Sequence, residues 1–194
     1  MIQEINAVIR AQNNGETNSK EIFVIDYKKI NGGDVEILSE RPEHDCVILY
    51  NERNIIIHYV AFKENALRVN TPQGQVKQCE CILFPKTLNE TDWILCIETK
   101  YTENLRIALD EKVDYPNTMI HQIISTVKYF RDKQIIPENK KVHAIVSFPK
   151  LIESFSEAFF TRSEMTREEI LEKYKIILRP SNEAVIKSEK TIKI

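Results

Sequence analysis

Glu80, Glu98 and Lys100 are the residues whose types and spacing could do chemistry. They fall in the two runs with the strongest strand character, residues 75–84 and 93–101, joined by a linker at 85–92. In an antiparallel hairpin centred near Leu88 and Asn89, opposed residues have numbers summing to about 178. Glu80 then faces Glu98. Alternation places Glu80, Ile82 and Phe84 on one face with Ile94, Cys96, Glu98 and Lys100. The apolar members lie toward the loop, and the charged members gather at the far end.

Two carboxylates opposed across strands repel unless something neutralises them. Lys100 supplies one positive charge, and a divalent cation would supply two more. Hard oxygen ligands suit Mg²⁺ or Mn²⁺, which keep several waters and take one or two protein carboxylates. A lysine beside such an ion can orient or deprotonate a bound water, or stabilise charge building on a phosphate. Those parts suit hydrolysis of a phosphodiester bond. The plainer reading of the same residues is an exposed cross-strand salt-bridge cluster facing water.

Cys79-Glu80-Cys81-Ile82-Leu83, followed by Leu95-Cys96-Ile97-Glu98-Thr99-Lys100, resembles the PD-(D/E)XK, or restriction-endonuclease-like, superfamily. There an acid on one strand precedes E-x-K on the next, and a helix with an inward-facing glutamine follows. Gln122 occupies that place here, with Thr126 one turn later, and the strand at 141–148 keeps the order. The likeness spans roughly residues 75–150, under half of the chain. It implies Mg²⁺ (or Mn²⁺) held by Glu80, Glu98 and the Thr99 carbonyl. It implies that Lys100 positions or activates the water, and that Gln122 supports Lys100 or touches the phosphate. The chain departs from the pattern in having Glu80 where the first acid is usually aspartate. The family also often uses an acid from an N-terminal helix, for which Glu4 is a candidate.

The elements that must position these groups follow from periodicity. Apolar residues at Ile2, Ile5, Val8 and Ile9 predict a helix, with Asn13-Asn14-Gly15 as its stop. Strands are expected at 21–28, 46–50, 54–62 and 66–70, with turns at 31–34 and 71–74. Residues 103–113 read as a loop with a helical turn. Asp114-Tyr115-Pro116 opens a helix with an apolar stripe at Ile120, Ile123, Ile124, Val127 and Phe130, ending before Pro137. A short amphipathic helix is expected at 166–174. A last hairpin is expected from 174–178 and 184–187 around Pro180-Ser181-Asn182. The sum is an α/β fold, a single domain over residues 1–194: a mixed central β-sheet flanked by helices, with the nuclease-like core at about 75–150.

The 194 residues, 42% hydrophobic and 29% charged, fit an ordinary globular chain, and the net charge of −2 argues against non-specific coating of nucleic acid. Cys46, Cys79, Cys81 and Cys96 show neither CxxC pairing nor zinc spacing and read as small buried hydrophobes. With no signal pattern and no membrane-length apolar run, the cytoplasm is the expected location. The expected function is metal-dependent hydrolysis of nucleic acid, DNA rather than RNA, with a homodimer suited to symmetric cutting of a duplex. The alternatives are a catalytically inactive nucleic-acid-binding module or a protein-interaction module on the same fold. Lys128, Arg131, Lys133, Lys140 and Lys141 read either as a phosphate groove or as a solvated face. The cluster Phe155, Phe159 and Phe160 reads as core or a partner surface.

Overall fold

The computed structural model describes residues 1–9, 12–67, 70–71, 74–75, 77–87 and 89–194. The chain begins with α1 (Ile2–Val8), β1 (Gln12–Thr17), β2 (Glu21–Asp26), β3 (Val35–Leu38), β4 (Val47–Asn51) and β5 (Ile57–Phe62). The short β6 (Asn70–Thr71) and β7 (Gly74–Gln75) precede β8 (Cys81–Pro85), β9 (Leu95–Thr99), α2 (Leu105–Ala108) and α3 (Tyr115–Asp132). It closes with β10 (Val142–Ser147), α4 (Ser156–Thr161), α5 (Arg167–Tyr174), β11 (Ile176–Pro180), β12 (Glu183–Ser188) and β13 (Thr191–Lys193). Of the strand expected at 66–70, Ala66 and Leu67 lie outside any strand, Asn70 opens β6, and residues 68 and 69 lie outside the described residues. So does the centre of the turn expected at 71–74.

The fold is mixed α/β, as the periodicities imply. Six strands form one sheet in the order β1-β5-β8-β9-β10-β11, and five form a second, β13-β12-β4-β2-β3. In the first sheet β8 pairs antiparallel with β9, and β10 lies parallel between β9 and β11. The parallel step from β9 to β10 is bridged by α3, as a parallel crossover requires.

One face of the six-stranded sheet, carrying Ile82, Phe84, Ile94 and Cys96, packs on Ile120, Ile123, Val127 and Phe130 of α3. The whole predicted α3 stripe is buried. The opposite face, carrying Cys81, Leu83, Leu95 and Ile97, packs on Ile22, Val24, Val47 and Leu49 of the second sheet. β9 is buried along its whole length for this reason. Phe155 and Phe159 are buried, so that cluster is core. All four cysteines are buried free thiols. Among the described residues no helix is long and apolar enough to cross a membrane.

Two local expectations change. Asn13-Asn14-Gly15 does not end α1 as a turn but lies inside β1. Gly15 sits across from Tyr59 of β5, and a Cβ there would come within 2.5 Å of the Tyr59 hydroxyl. The aromatic ring covers the glycine and makes a strand of a sequence with turn composition. The final hairpin is not formed either. β11 runs parallel to β10 in one sheet, whereas β12 pairs with β4 and β13 in the other. β11 takes its place beside β10 and β12 beside β4 and β13, so the chain crosses between sheets at Pro180-Ser181-Asn182 instead of folding back.

Candidate functional site

β8 and β9 deliver the hairpin residues in the expected register. Cys81 faces Ile97, Ile82 faces Cys96 and Leu83 faces Leu95. The ladder stops there. Glu80 lies in a bend before β8, and its N–H donates to the Ile97 carbonyl at 2.9 Å, the residue that Cys81 already faces. This bulge-like step re-aims the side chain of Glu80 relative to a regular strand. Glu98 and Thr99 end β9 and are 0% and 1% exposed. Lys100 follows, its N–H donating to Ser147 O of β10 at 2.9 Å.

The Glu98 side chain is ion-paired with the Lys100 ammonium through Oε1. Its Oε2 is buried and has no hydrogen-bond partner among the described residues, and neither has the Thr99 hydroxyl. Burial pushes the Glu98 carboxyl up to about 7, against the pull of Lys100. Glu80 is half-buried, and its carboxyl is held well above the usual range, first by burial and then by the charges of Glu98 and Asp26. Burial pulls the Lys100 ammonium down, yet Glu98 and Glu80 lift it above its ordinary value overall. Lys100 therefore stays charged at neutral pH. The exposed salt-bridge alternative fails for Glu98, because that carboxylate is fully buried.

Gln122 reaches the same segment by another route. Its Nε2 donates to Gln78 O at 2.7 Å. Thr126 Oγ1 accepts from Cys79 N at 2.9 Å and donates to Gln122 O at 2.8 Å. α3 thus braces the two residues that lead into Glu80. Asp26, at the end of β2, escaped the sequence reading, although its charge acts on Glu80, Glu98 and Lys100. The available signal was an acid ending the apolar run Ile22-Phe23-Val24-Ile25.

Glu4 is not part of this group. It borders a cleft of about 740 Å³ at the opposite end of β9 and β10, with Asp92, Ile94, Lys140 and His143. Arg131 and Lys140, read as groove candidates, bond to backbone carbonyls instead.

A divalent cation suits the donor set at Glu98. The Glu98 carboxylate, with a buried oxygen that has no partner among the described residues, and Glu80, whose charge acts on it, match an ion that takes one or two protein carboxylates and keeps its waters. Among the described residues no three His, Cys, Asp or Glu side chains form a ready-made metal cage. No protein-family model, curated protein or solved structure matches the chain.

Proposed function

We propose that this chain is a metal-dependent nuclease of the PD-(D/E)XK type, hydrolysing phosphodiester bonds in DNA rather than RNA. The observation that carries this reading is Glu98, a fully buried carboxylate with one oxygen held by Lys100 and the other without a partner among the described residues. A buried charge of this kind is expensive unless it is paired or serves a cation. Perturbed groups of this sort concentrate at functional sites.

Bound Mg²⁺ would supply Lewis acidity and lower the pKa of a water. Glu80 and Glu98 would hold the ion, with the Thr99 carbonyl as the further ligand that the resemblance implies. Lys100, ion-paired with Glu98, would position or activate the attacking water and offset charge on the phosphate. Gln122 acts through the backbone that carries Glu80. Four free buried thiols suit a reducing cytoplasm. A homodimer would place two such sites for cutting both strands of a duplex.

Supercoiled plasmid and single-stranded DNA incubated with Mg²⁺, Mn²⁺ or EDTA test the proposal. Nicking should need the metal and disappear in Glu98→Ala and Lys100→Ala. Full activity in either variant would sink the mechanism. The second reading, an inactive nucleic-acid-binding module, draws on Glu80 in place of aspartate and on the absence of a three-residue cage among the described residues. DNA binding without cleavage in any metal would decide for it.

A further inference from the structure

The six-stranded sheet is bounded by β1 and β11, and the five-stranded sheet by β13 and β3. An edge strand presents free N–H and C=O groups that are a template for another strand. Proteins blunt such edges with lysine, proline, a bulge or short length. β3 and β13 are four and three residues long, and β11 closes on Pro180. β1 is the longest of these edges, at six residues, and carries neither lysine nor proline. Its register with β5 runs unbroken from Gln12 against Phe62 to Thr17 against Ile57, so it has no bulge. Its one charge, Glu16, is already paired with Lys86 Nζ at 2.9 Å.

The ladder fixes which backbone groups of β1 point outward. Phe62 N donates to Glu80 O and Lys86 N to Ile56 O, both at 2.9 Å. The even-numbered residues of β5 therefore turn their N–H and C=O toward β8, while Ile57, Tyr59 and Ala61 turn theirs toward β1. The residues opposite those three are Thr17, Gly15 and Asn13. Gln12, Asn14 and Glu16 thus carry their N–H and C=O on the open side. Among the described residues no backbone group bonds to them there.

This open side is complementary to itself. Two copies of β1 laid antiparallel about Asn14 set Asn14 against Asn14, and Gln12 against Glu16 of the second copy. All the outward residues then fall in hydrogen-bonded pairs, about six N–H···O=C bonds in all. Glu16 meets a neutral amide, whereas a register that set Glu16 against Glu16 would oppose two carboxylates. Between these pairs Asn13 meets Gly15, which has no side chain to obstruct it. A two-fold interface requires this kind of self-matching.

We propose that the β1 edge is a dimer interface, at which a second copy of this chain adds its own β1 antiparallel about Asn14 and joins the two six-stranded sheets into one. The pairing requires neither the metal nor the nuclease reading.

Sedimentation equilibrium of the full chain should show a species of twice the chain mass as concentration rises. In amide hydrogen exchange, the N–H groups of Gln12, Asn14 and Glu16 should be protected in the dimer and exchange freely on dilution. Those of Asn13, Gly15 and Thr17, which face β5, should stay protected throughout. Asn14 is exposed, so its charged variants test the centre of the interface. Asn14→Asp and Asn14→Lys each set like charges against each other on the two-fold axis and should weaken the dimer about fivefold or more. Mixing the two variants should restore it as a heterodimer. A wild type that stays monomeric at millimolar concentration overturns the proposal. So does a dimer in which Gln12, Asn14 and Glu16 still exchange freely, or one equally tight in both charged variants, since it forms through another face.

Discussion

The two ends of β9 and β10 use buried charge in opposite ways. At the N-terminal end, Lys140 Nζ donates to the carbonyls of Glu90 and Asp92. Arg131, on α3, donates to Tyr174 O at 2.6 Å and to Lys140 O at 2.9 Å. Asp92 Oδ2 accepts from Asn89 N at 2.9 Å and shapes the turn. These charges finish the backbone of neighbouring loops. At the C-terminal end, the charges of Asp26, Glu80, Glu98 and Lys100 act chiefly on one another. Single buried atoms without a partner among the described residues occur at both ends, Glu98 Oε2 at this one and Asp92 Oδ1 and Arg131 Nε at the other, so the contrast lies in what the charges face. Charge that satisfies a carbonyl is architecture. Buried charge aimed at like charge is a cost whose return has to come from a ligand.

A matched pair of substitutions would break that contrast if it is wrong. Lys100→Met should cost about 3–5 kcal/mol at pH 8, because it strands Glu98 as a buried charge without its cation. The cost should shrink at pH 5, where Glu98 carries a proton. Arg131→Met, at the other end, should cost about 2–3 kcal/mol by leaving carbonyls without a charged donor. That cost should be the same at both pH values and leave Mn²⁺ affinity unchanged. Urea unfolding of both variants at the two pH values reads this out. A pH-independent loss in Lys100→Met would mean that its pair with Glu98 is as architectural as Arg131.

The next effect is the pH dependence of the metal-free protein. Burial raises Glu98 from the ordinary 4.5 to about 7. Between those values the folded chain holds a proton that the unfolded chain releases. The stabilisation from this group is therefore complete below about pH 4.5 and is lost as pH rises through about 7, a change of about 3 kcal/mol. This is the reverse of a salt-bridged surface acid. Saturating Mg²⁺ should cancel the loss above pH 7, since the ion takes the proton's place, and ion binding should weaken as pH falls below 7. Glu98→Gln should remove this component from the profile. Thermal melts across pH 5–8, with and without Mg²⁺, would show it. A wild-type profile identical to that of Glu98→Gln would remove Glu98 from the explanation.

The C-terminal end was partly legible from sequence because its main pieces are local. The hairpin centre near Leu88 and Asn89 gives the β8–β9 register, and alternation then assigns Ile82, Phe84, Ile94 and Cys96 to the α3 face. The α3 stripe is legible for the same reason. Asp26 was not, since β2 meets the hairpin only through sheet-on-sheet packing, which no motif encodes. The crossing between β11 and β12 was missed on similar grounds: their true neighbours, β10 and β4, are chosen by tertiary packing. Nor did alternation reveal the bend at Glu80, because a bulge-like step adds a residue without changing composition.

The bend makes Gln122 the smallest and sharpest test. The resemblance gives this glutamine a place beside Lys100 or the phosphate, whereas its Nε2 is bonded to Gln78 O, two residues before Glu80. With Thr126 bonded to Cys79 N, the pair holds the segment that leads into Glu80. As a brace, Gln122→Ala should cost about 1 kcal/mol in urea unfolding, the worth of one hydrogen bond. Its cleavage rate should fall about tenfold or less, a loss of at most about 1.4 kcal/mol in transition-state stabilisation. Thr126→Val, which strands the buried Cys79 N–H, should produce a similar loss in rate. If Gln122→Ala is instead as inactive as Lys100→Ala while Thr126→Val is not, the glutamine leaves Gln78 when substrate binds and contacts the reacting group itself.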